Sequence, residues 1–218
     1  MQYKSFLFFT VIASALAGVH GQYGMADGGY GDGLTTSSAI PGYGENTEQV
    51  ESNGYGNQCK LAKKISLLSD NDKYLGRCEG CVPYSTNLNN AFVHGVGNPK
   101  ELNYLQWDVV ELGNGKIALR ADSGLYLGRC SKCYKMESHY DSASIHVMEK
   151  DLRSSPWAHW ELGCVGGNKI TLKGDTGNYL SRCNGCVTGG AYPDSAFVHN
   201  SSPNESSAIW KWTDLSTY

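Results

Sequence analysis

An all-β fold, a β-trefoil built from three four-stranded repeats, is predicted by three observations on this chain. First, the segment "YLGRCEGC" returns twice, as "YLGRCSKC" and "YLSRCNGC", each time after a Lys-Ile-x-Leu stretch, at offsets of 52 and 53 residues. Second, an Ala-x-Val/Ile-His segment starts ten residues after the last cysteine of each copy. Third, each unit closes with a tryptophan, at Trp107, Trp160 and Trp212. Agreement of this extent within one chain indicates internal repetition.

Each repeat is predicted to form four short strands. Lys-Ile-x-Leu alternates in polarity, a turn rich in Asp and Gly follows, and Tyr-Leu-x-Arg-Cys resumes an extended segment. Asp and Gly suit the turn because they accept positive φ or bond their own backbone. The Ala-x-Val-His and Trp segments supply the other two strands. Because four such strands cannot bury an apolar face alone, we expect three units to close one barrel, over about residues 58–110, 111–163 and 164–218.

A family resemblance rests on this repeated pattern. Lys-Ile-x-Leu, the Asp-containing turn, Tyr-Leu, Ala-x-Val and a Trp-x-Val or Trp-x-Leu strand resemble the β-trefoil domains of the fascin-like and agglutinin-like group, from Gly56 to the C terminus. The resemblance implies the fold. It does not imply actin bundling, because fascins are cytosolic proteins of four such domains. The sugar site of ricin-type trefoils has no match either, since Gln106 directly precedes Trp107 where that family has Gln-x-Trp.

The N-terminal residues predict export. Lys4 precedes an apolar run from Phe6 to Ala13, and small residues follow at Ala15 and Ala17, as in a secretory signal; we assign residues 1–21 to it. The run is shorter than the roughly 20 apolar residues that a membrane-spanning helix needs. Residues 22–57 carry five acidic residues and no Lys or Arg among repeated Gly and Tyr. Such a composition predicts a flexible acidic arm.

Export makes disulfides the expected state of the eight cysteines, because thiols outside the cytosol pair unless a metal holds them. Our hypothesis is that each Cys-x-x-Cys motif closes on itself. Cys59 and Cys164 each lie five residues before a Lys-Ile stretch, so they occupy matching places and are predicted to form the fourth pair. The predicted pairs are Cys78–Cys81, Cys130–Cys133, Cys183–Cys186 and Cys59–Cys164.

Two other roles for the motifs are weaker predictions. A histidine follows each motif, at His94, His146 and His199, but a Cys2His set supplies three ligands where structural zinc takes four. Thioredoxin-like redox chemistry places Cys-x-x-Cys at a helix N terminus, and these motifs follow predicted strands. We therefore expect no metal and no cofactor.

The residues beside the motifs are candidates for ligand binding. Aromatic faces with a carboxylate suit the CH and OH groups of a sugar, so a hypothesis of three shallow polyol sites names Asp70, Tyr74, Asp122, Tyr126, Asp175 and Tyr179. The alternative is that Asp only shapes the turns. Arg77, Arg129 and Arg182 are expected to bond turn carbonyls and hold the cap. Asn200 and Asn204 begin glycosylation sequons in the predicted loop before the last strand.

The sequence favours a secreted, non-enzymatic β-trefoil that binds extracellular polysaccharide or matrix, with three repeats making weak linked contacts and the arm as a tether. A formal charge of −3 gives no argument for nucleic acid or for an anionic membrane. No Ser/His/Asp or paired-carboxylate arrangement predicts an enzyme. The alternatives are a structural or adhesive matrix protein with cross-linked arm tyrosines and, less strongly, a secreted protease inhibitor.

Overall fold

The computed structural model describes residues 59–134 and 139–216. The predicted signal (1–21) and arm (22–57) lie outside the described residues. The described chain contains twelve strands and four short 3₁₀ segments, and no helix in it is long and apolar enough to cross a membrane. The strands are β1 (Lys64–Leu68), β2 (Tyr74–Glu79), β3 (Asn89–Gly95), β4 (Trp107–Gly113), β5 (Lys116–Arg120), β6 (Tyr126–Ser131), β7 (Asp141–Val147), β8 (Trp160–Gly166), β9 (Lys169–Lys173), β10 (Tyr179–Asn184), β11 (Asp194–Asn200) and β12 (Trp210–Asp214). The 3₁₀ segments are Asn103–Leu105, Glu149–Ser154, Pro156–Ala158 and Ser206–Ala208.

Six strands close a barrel, in which every neighbouring pair is antiparallel. The order around the barrel is β1, β4, β5, β8, β9 and β12, and β12 pairs back with β1. Closure leaves these strands without a free edge. Each repeat, β1–β4, β5–β8 or β9–β12, contributes its first and last strand to the barrel.

The other six strands form three hairpins that cover one end of the barrel. They are β2–β3, β6–β7 and β10–β11. The second strands of the three hairpins also pair with one another, β3 with β7, β7 with β11 and β11 with β3. We call this end of the molecule the cap. A six-stranded barrel with a triangular cap of hairpins is a β-trefoil, which confirms the predicted fold.

Three tryptophans anchor the core at equivalent positions. Trp107, Trp160 and Trp210 each begin the last strand of a repeat and are fully buried. Each indole Nε1 donates to a backbone carbonyl of the same repeat's second strand, at Leu75 (3.2 Å), Leu127 (3.2 Å) and Leu180 (2.9 Å). A buried indole N–H needs such a partner.

The assignment of Trp212 as the closing tryptophan of the third repeat was therefore wrong. Trp210 occupies that position, and Trp212 is only partly buried two residues further along β12. Side chains two residues apart in a strand point to the same face, so alternation alone does not distinguish the two. The register of β12 against β9, with Trp210 opposite Ile170, decides between them.

Candidate functional site

The cap contains three of the four disulfide bonds found in the described residues. They join Cys78 to Cys81, Cys130 to Cys133 and Cys183 to Cys186, and the fourth joins Cys59 to Cys164 across 105 residues of sequence. These are the pairs that the sequence predicts. No described cysteine remains a free thiol.

Each motif turns sharply inside the cap. The residue before its second cysteine has positive φ in all three copies: 69° at Gly80, 60° at Lys132 and 72° at Gly185. Glycine adopts this conformation without steric cost, and the second repeat places lysine there. The turn brings both cysteines of each motif against one apolar group, which we call the cap cluster. Its members are Cys78, Cys81, Val82, Phe92, Cys130, Cys133, Tyr134, Cys183, Cys186, Val187 and Phe197.

The second repeat fills the cap cluster differently from the other two. Where the first repeat has Phe92 and the third has Phe197, the second has Ser144, and the residue after its motif is Tyr134 instead of valine. The Tyr134 ring packs against Phe197 with ring centroids 5.9 Å apart. Its hydroxyl donates to the Ala143 carbonyl at 3.1 Å, and burial raises the pKa of Tyr134 above its usual range. The tyrosine thus takes up space that the missing phenylalanine leaves.

The arginine after each Tyr-Leu pair binds the turn aspartate of the next repeat. Arg77 donates to both carboxylate oxygens of Asp122 at 2.6 and 3.0 Å. Arg129 does the same to Asp175 (2.7 and 2.8 Å), and Arg182 to Asp70 (2.6 and 2.9 Å). The three pairs run from first repeat to second, second to third and third to first. We call this closed set the ion-pair ring.

The ring changes the roles expected of these residues. The arginines do hold the cap, but they bind carboxylates of a neighbouring repeat and not turn carbonyls. Hydrogen bonds from Arg182 lower the pKa of Asp70 to about 2. Those from Arg77 and Arg129 lower the pKa values of Asp122 and Asp175. Both oxygens of each carboxylate thus accept a hydrogen bond from an arginine of the neighbouring repeat, which gives these aspartates a role in the fold. Ligand binding by them stays a prediction.

The three tyrosines proposed as sugar platforms are not equivalent. Tyr126 is buried, with 1% of its surface exposed, so its ring cannot stack on a ligand. Its hydroxyl donates to Glu149, and burial together with that carboxylate raises the pKa of Tyr126 to about 12. Tyr74 and Tyr179 are half-buried at the start of their strands. The structure therefore brings no set of three exposed Tyr and Asp pairs together.

A different set of tyrosines is exposed at the cap. Tyr84, Tyr140 and Tyr192 are 88%, 64% and 41% exposed, and they lie in the three loops that join the strands of the cap hairpins. Each repeat contributes one. Residue-by-residue alignment missed them because they occupy different positions within their loops. The signal that could have found them is a tyrosine in each loop after the motif, in "CVPYSTN", "CYKMESHY" and "CVTGGAYPD".

The cap loops contact one another, so the three tyrosines belong to one end of the molecule. Asn87 of the first loop donates to the sulfurs of the second disulfide, Cys130 (3.3 Å) and Cys133 (3.5 Å). The backbone N–H of Ala191 in the third loop donates to the Cys81 carbonyl at 2.9 Å. Each of these contacts joins two different repeats.

Tyr84 is held in a backbone conformation that a bulky residue rarely adopts. Its φ is 59°, in the left-handed region. Such conformations cost of order 1 kcal/mol or more, and they concentrate at functional sites. The cap thus carries an exposed aromatic side chain on a strained segment.

Two concavities lie away from the cap. A cavity of about 1000 Å³ at the open end of the barrel is lined by the Cys59–Cys164 disulfide and the Gly113–Lys116 turn. A smaller one of about 340 Å³, between the first and second repeats, is lined mainly by polar and charged groups, among them Gln106 and Asp108. In it Asp108 pairs with both Lys64 (3.5 Å) and Arg120 (3.0 Å). With Asp122, the lining of this pocket carries two acidic and two basic side chains.

The two sequons differ in their surroundings. Asn200, which was predicted in the loop before the last strand, is instead the last residue of β11, and its amide donates to Ser207 at 2.9 Å. Asn204 is exposed in the loop before β12, as predicted for that segment. Modification at either asparagine stays a prediction.

Comparison with solved structures finds the same fold in several proteins. The designed 3-fold symmetric protein ThreeFoil is 17% identical, with 70% of this chain and 99% of that chain covered and a TM-score of 0.51. A Caenorhabditis elegans protein of unknown function is 15% identical, with 74% and 99% covered and a TM-score of 0.56. The SDF2-like protein from Arabidopsis thaliana is 16% identical, with 69% and 91% covered and a TM-score of 0.52. No protein-family model and no curated sequence matches the chain. At these identities the likeness shows the fold alone.

Proposed function

We propose that the protein is an exported, non-enzymatic β-trefoil that binds an extracellular polysaccharide through its cap. The observation that carries the proposal is the exposed tyrosine in each of the three cap loops, 88% exposed at Tyr84, 64% at Tyr140 and 41% at Tyr192. A tyrosine ring packs against the CH face of a sugar while its hydroxyl bonds the sugar's hydroxyls. The proposal moves the sugar contact from the turn aspartates to these loops.

The cap architecture favours binding of a polymer. Three loops at one end of the molecule offer three aromatic contacts, and linked weak contacts raise avidity when the ligand repeats. Each loop follows a disulfide packed in the cap cluster, so less conformational freedom is lost on binding. A polysaccharide with regularly spaced sugars satisfies this arrangement better than a single small sugar does.

Export is supported by the disulfides. Four disulfides within residues 59–216 are typical of a protein that matures in an oxidising compartment. The signal predicted at residues 1–21 agrees with this assignment. The fascin-like and agglutinin-like resemblance is retained as part of the proposal for the framework, because it rests on the repeated strand and turn residues and not on the cap tyrosines.

A pull-down panel tests the proposed function. The full secreted chain is incubated with insoluble chitin, cellulose and galactan, and retention is compared with that of a variant carrying Tyr84→Ala, Tyr140→Ala and Tyr192→Ala. The controls, Met148→Ala and Val165→Ala, truncate exposed apolar residues outside the cap loops (51% and 45% exposed). We expect one polysaccharide to retain the wild type and both controls at least tenfold more than the triple variant.

Two outcomes would contradict the proposal. Equal retention of the triple variant would remove the cap tyrosines as the site. Failure of every polysaccharide, combined with insoluble material rich in tyrosine-derived cross-links, would favour the structural matrix role instead.

A further inference from the structure

Two histidines from different repeats meet beside the cap cluster. His139 lies in the loop before β7 of the second repeat, and His199 lies on β11 of the third. Their ring centroids are 4.7 Å apart. His139 also packs beside Phe197, with ring centroids 6.2 Å apart. The pair thus bridges two repeats at the edge of a buried apolar group.

Comparison with the equivalent positions of the other repeats shows what distinguishes this histidine pair. His199 is equivalent to His94 and His146, while His139 is equivalent to Asn87 and Tyr192. In the first repeat, His94 stacks between Tyr192 (4.6 Å between centroids) and Tyr104 (5.5 Å). Of the three equivalent places, this one alone brings two imidazoles together within the described residues.

The nitrogen atoms of the three equivalent histidines differ in their partners. Nδ1 of His94 lies 3.3 Å from the Phe92 carbonyl oxygen, and Nδ1 of His146 lies 3.2 Å from that of Ser144. Nδ1 of His199 is buried and has no hydrogen-bond partner among the described residues. A buried polar atom without a partner costs free energy, and a bound ion would satisfy it.

The surroundings of His199 disfavour the charged form of its ring. Burial lowers its pKa first, and the neighbouring His139 lowers it further. The Phe197 carbonyl opposes this shift in part, although it lies outside hydrogen-bonding geometry. A neutral imidazole is the form that coordinates a metal.

We propose that His139 and His199 bind a divalent transition-metal ion of the Zn²⁺ class between the second and third repeats. Imidazole suits zinc, copper and nickel. The ligand atoms of the two histidines and of Cys183 lie within 4.8 Å of one another. Cys183 is bonded to Cys186, so its sulfur is not counted as a ligand. With two protein ligands and water, the site is an open one and not a four-ligand structural zinc site. This pair differs from the Cys2His sets considered from the sequence, because His139 comes from the neighbouring repeat.

Binding requires a small movement of the side chains. Zinc binds imidazole nitrogen at about 2.0–2.1 Å, which places two nitrogens of a tetrahedral site roughly 3.4 Å apart. Because the ligand atoms lie within 4.8 Å of one another, the two nitrogens need to approach by at most about 1.4 Å. His139 is half-buried in a loop, so its ring can supply that movement. The ion would then link His139 of the second repeat to β11 of the third.

Calorimetric titration of the full chain with ZnCl₂ tests the site. His139→Asn is the informative variant, because asparagine is the residue that the first repeat places there as Asn87. His94→Gln is the matched control at the position equivalent to His199. We expect the wild type and His94→Gln to bind zinc with a raised unfolding temperature, and His139→Asn to lose at least tenfold in affinity.

Thermal unfolding without zinc shows whether a variant that loses zinc affinity is still folded. His139→Asn should unfold at nearly the wild-type temperature when the metal is chelated, which separates loss of a ligand from loss of the fold. His199→Gln should repeat the loss of zinc affinity. Absence of zinc binding by the wild type, or equal zinc affinity of wild type and His139→Asn, would overturn the site.

Discussion

The ion-pair ring and the cap loops obey the threefold symmetry to different degrees. In the ring, every repeat supplies one arginine and one aspartate, and all three bidentate pairs have donor–acceptor distances between 2.6 and 3.0 Å. In the loops, equivalent places hold Asn87, His139 and Tyr192, and the exposed tyrosines occupy different positions. The ring closes only if each repeat contributes the same pair. The loops have no such requirement.

This difference separates residues that make the fold from residues that are free to make function. A residue that closes the ion-pair ring or fills the barrel must fit against the equivalent residues of the other two repeats. A loop residue with an exposed side chain meets no such constraint. The sequence motif that repeats best is therefore structural, and the candidate binding residues lie where the repeats diverge.

The largest effect is expected when a tryptophan of the barrel core is replaced by alanine. These variants test the part of the molecule that repeats threefold. Trp210→Ala should lower the free energy of unfolding by about 3–5 kcal/mol, because it removes a fully buried side chain and leaves a cavity. Trp107→Ala and Trp160→Ala should match it. Trp212→Ala, at a partly buried position, should cost less than half as much in urea unfolding. Equal losses for Trp210 and Trp212 would contradict the corrected register.

Breaking one link of the ion-pair ring should have the next largest effect. Arg129→Met removes the hydrogen bonds to Asp175 and Asp141 and leaves two carboxylates without that partner. We expect a loss of about 2 kcal/mol by urea unfolding, with similar losses for Arg77→Met and Arg182→Met. A double-mutant cycle of Arg129→Met with Asp175→Asn should show coupling. Additive effects in that cycle would mean that the ring does not act as described.

Giving the second repeat the cap-cluster residues of the other two repeats tests the part of the molecule in which the repeats differ. Tyr134→Val should cost about 1–3 kcal/mol through a cavity, and Ser144→Phe should cost a similar amount through overpacking. Because Tyr134 takes the space of the missing phenylalanine, the double variant, which restores the composition of the other repeats, should be more stable than either single variant. Thermal unfolding of the three variants measures this. A double variant less stable than both single ones would contradict the compensation.

Acid should weaken the ring by a smaller amount. The pKa of Asp70 falls to about 2 on folding, so its contribution is fully present above about pH 4 and is lost as the pH falls toward 2. Solvent screening at this partly exposed pair limits the effect to about 1 kcal/mol. Asp70→Asn should therefore be less stable than wild type at pH 6 and converge toward it near pH 2. A difference in unfolding temperature that stays constant with pH would contradict this assignment.

The sequence predicted the parts of the structure that repeat. The twelve strands and the barrel could be predicted from the alternating Lys-Ile-x-Leu segments and the turns, and the four disulfides from the cysteine spacing. Each of these signals occurs in more than one repeat. Local patterns at Trp210 and Trp212 were ambiguous, since both satisfy the same alternation. Their assignment needed the pairing of β12 with β9.

The side-chain contacts of the cap were predictable only in part, because they join residues of different repeats. The aspartate bound by Arg77 is Asp122, and nothing local in the sequence shows that these two residues meet. The same holds for His139 and His199. The cap tyrosines carried a recognisable signal, one per loop, but the sequence does not show which side chains of these segments are exposed.

Retention of single variants on the polysaccharide that binds the wild type tests the central claim most directly. Tyr84→Ala, 88% exposed in the wild type, should unfold within a few degrees of the wild type, because little of its side chain is buried, and should elute earlier. Arg77→Met, from the ring, should unfold at a lower temperature yet elute with the wild type when assayed well below that temperature. The opposite pattern, with unchanged elution of Tyr84→Ala and early elution of folded Arg77→Met, would contradict the separation of symmetric framework from divergent binding loops.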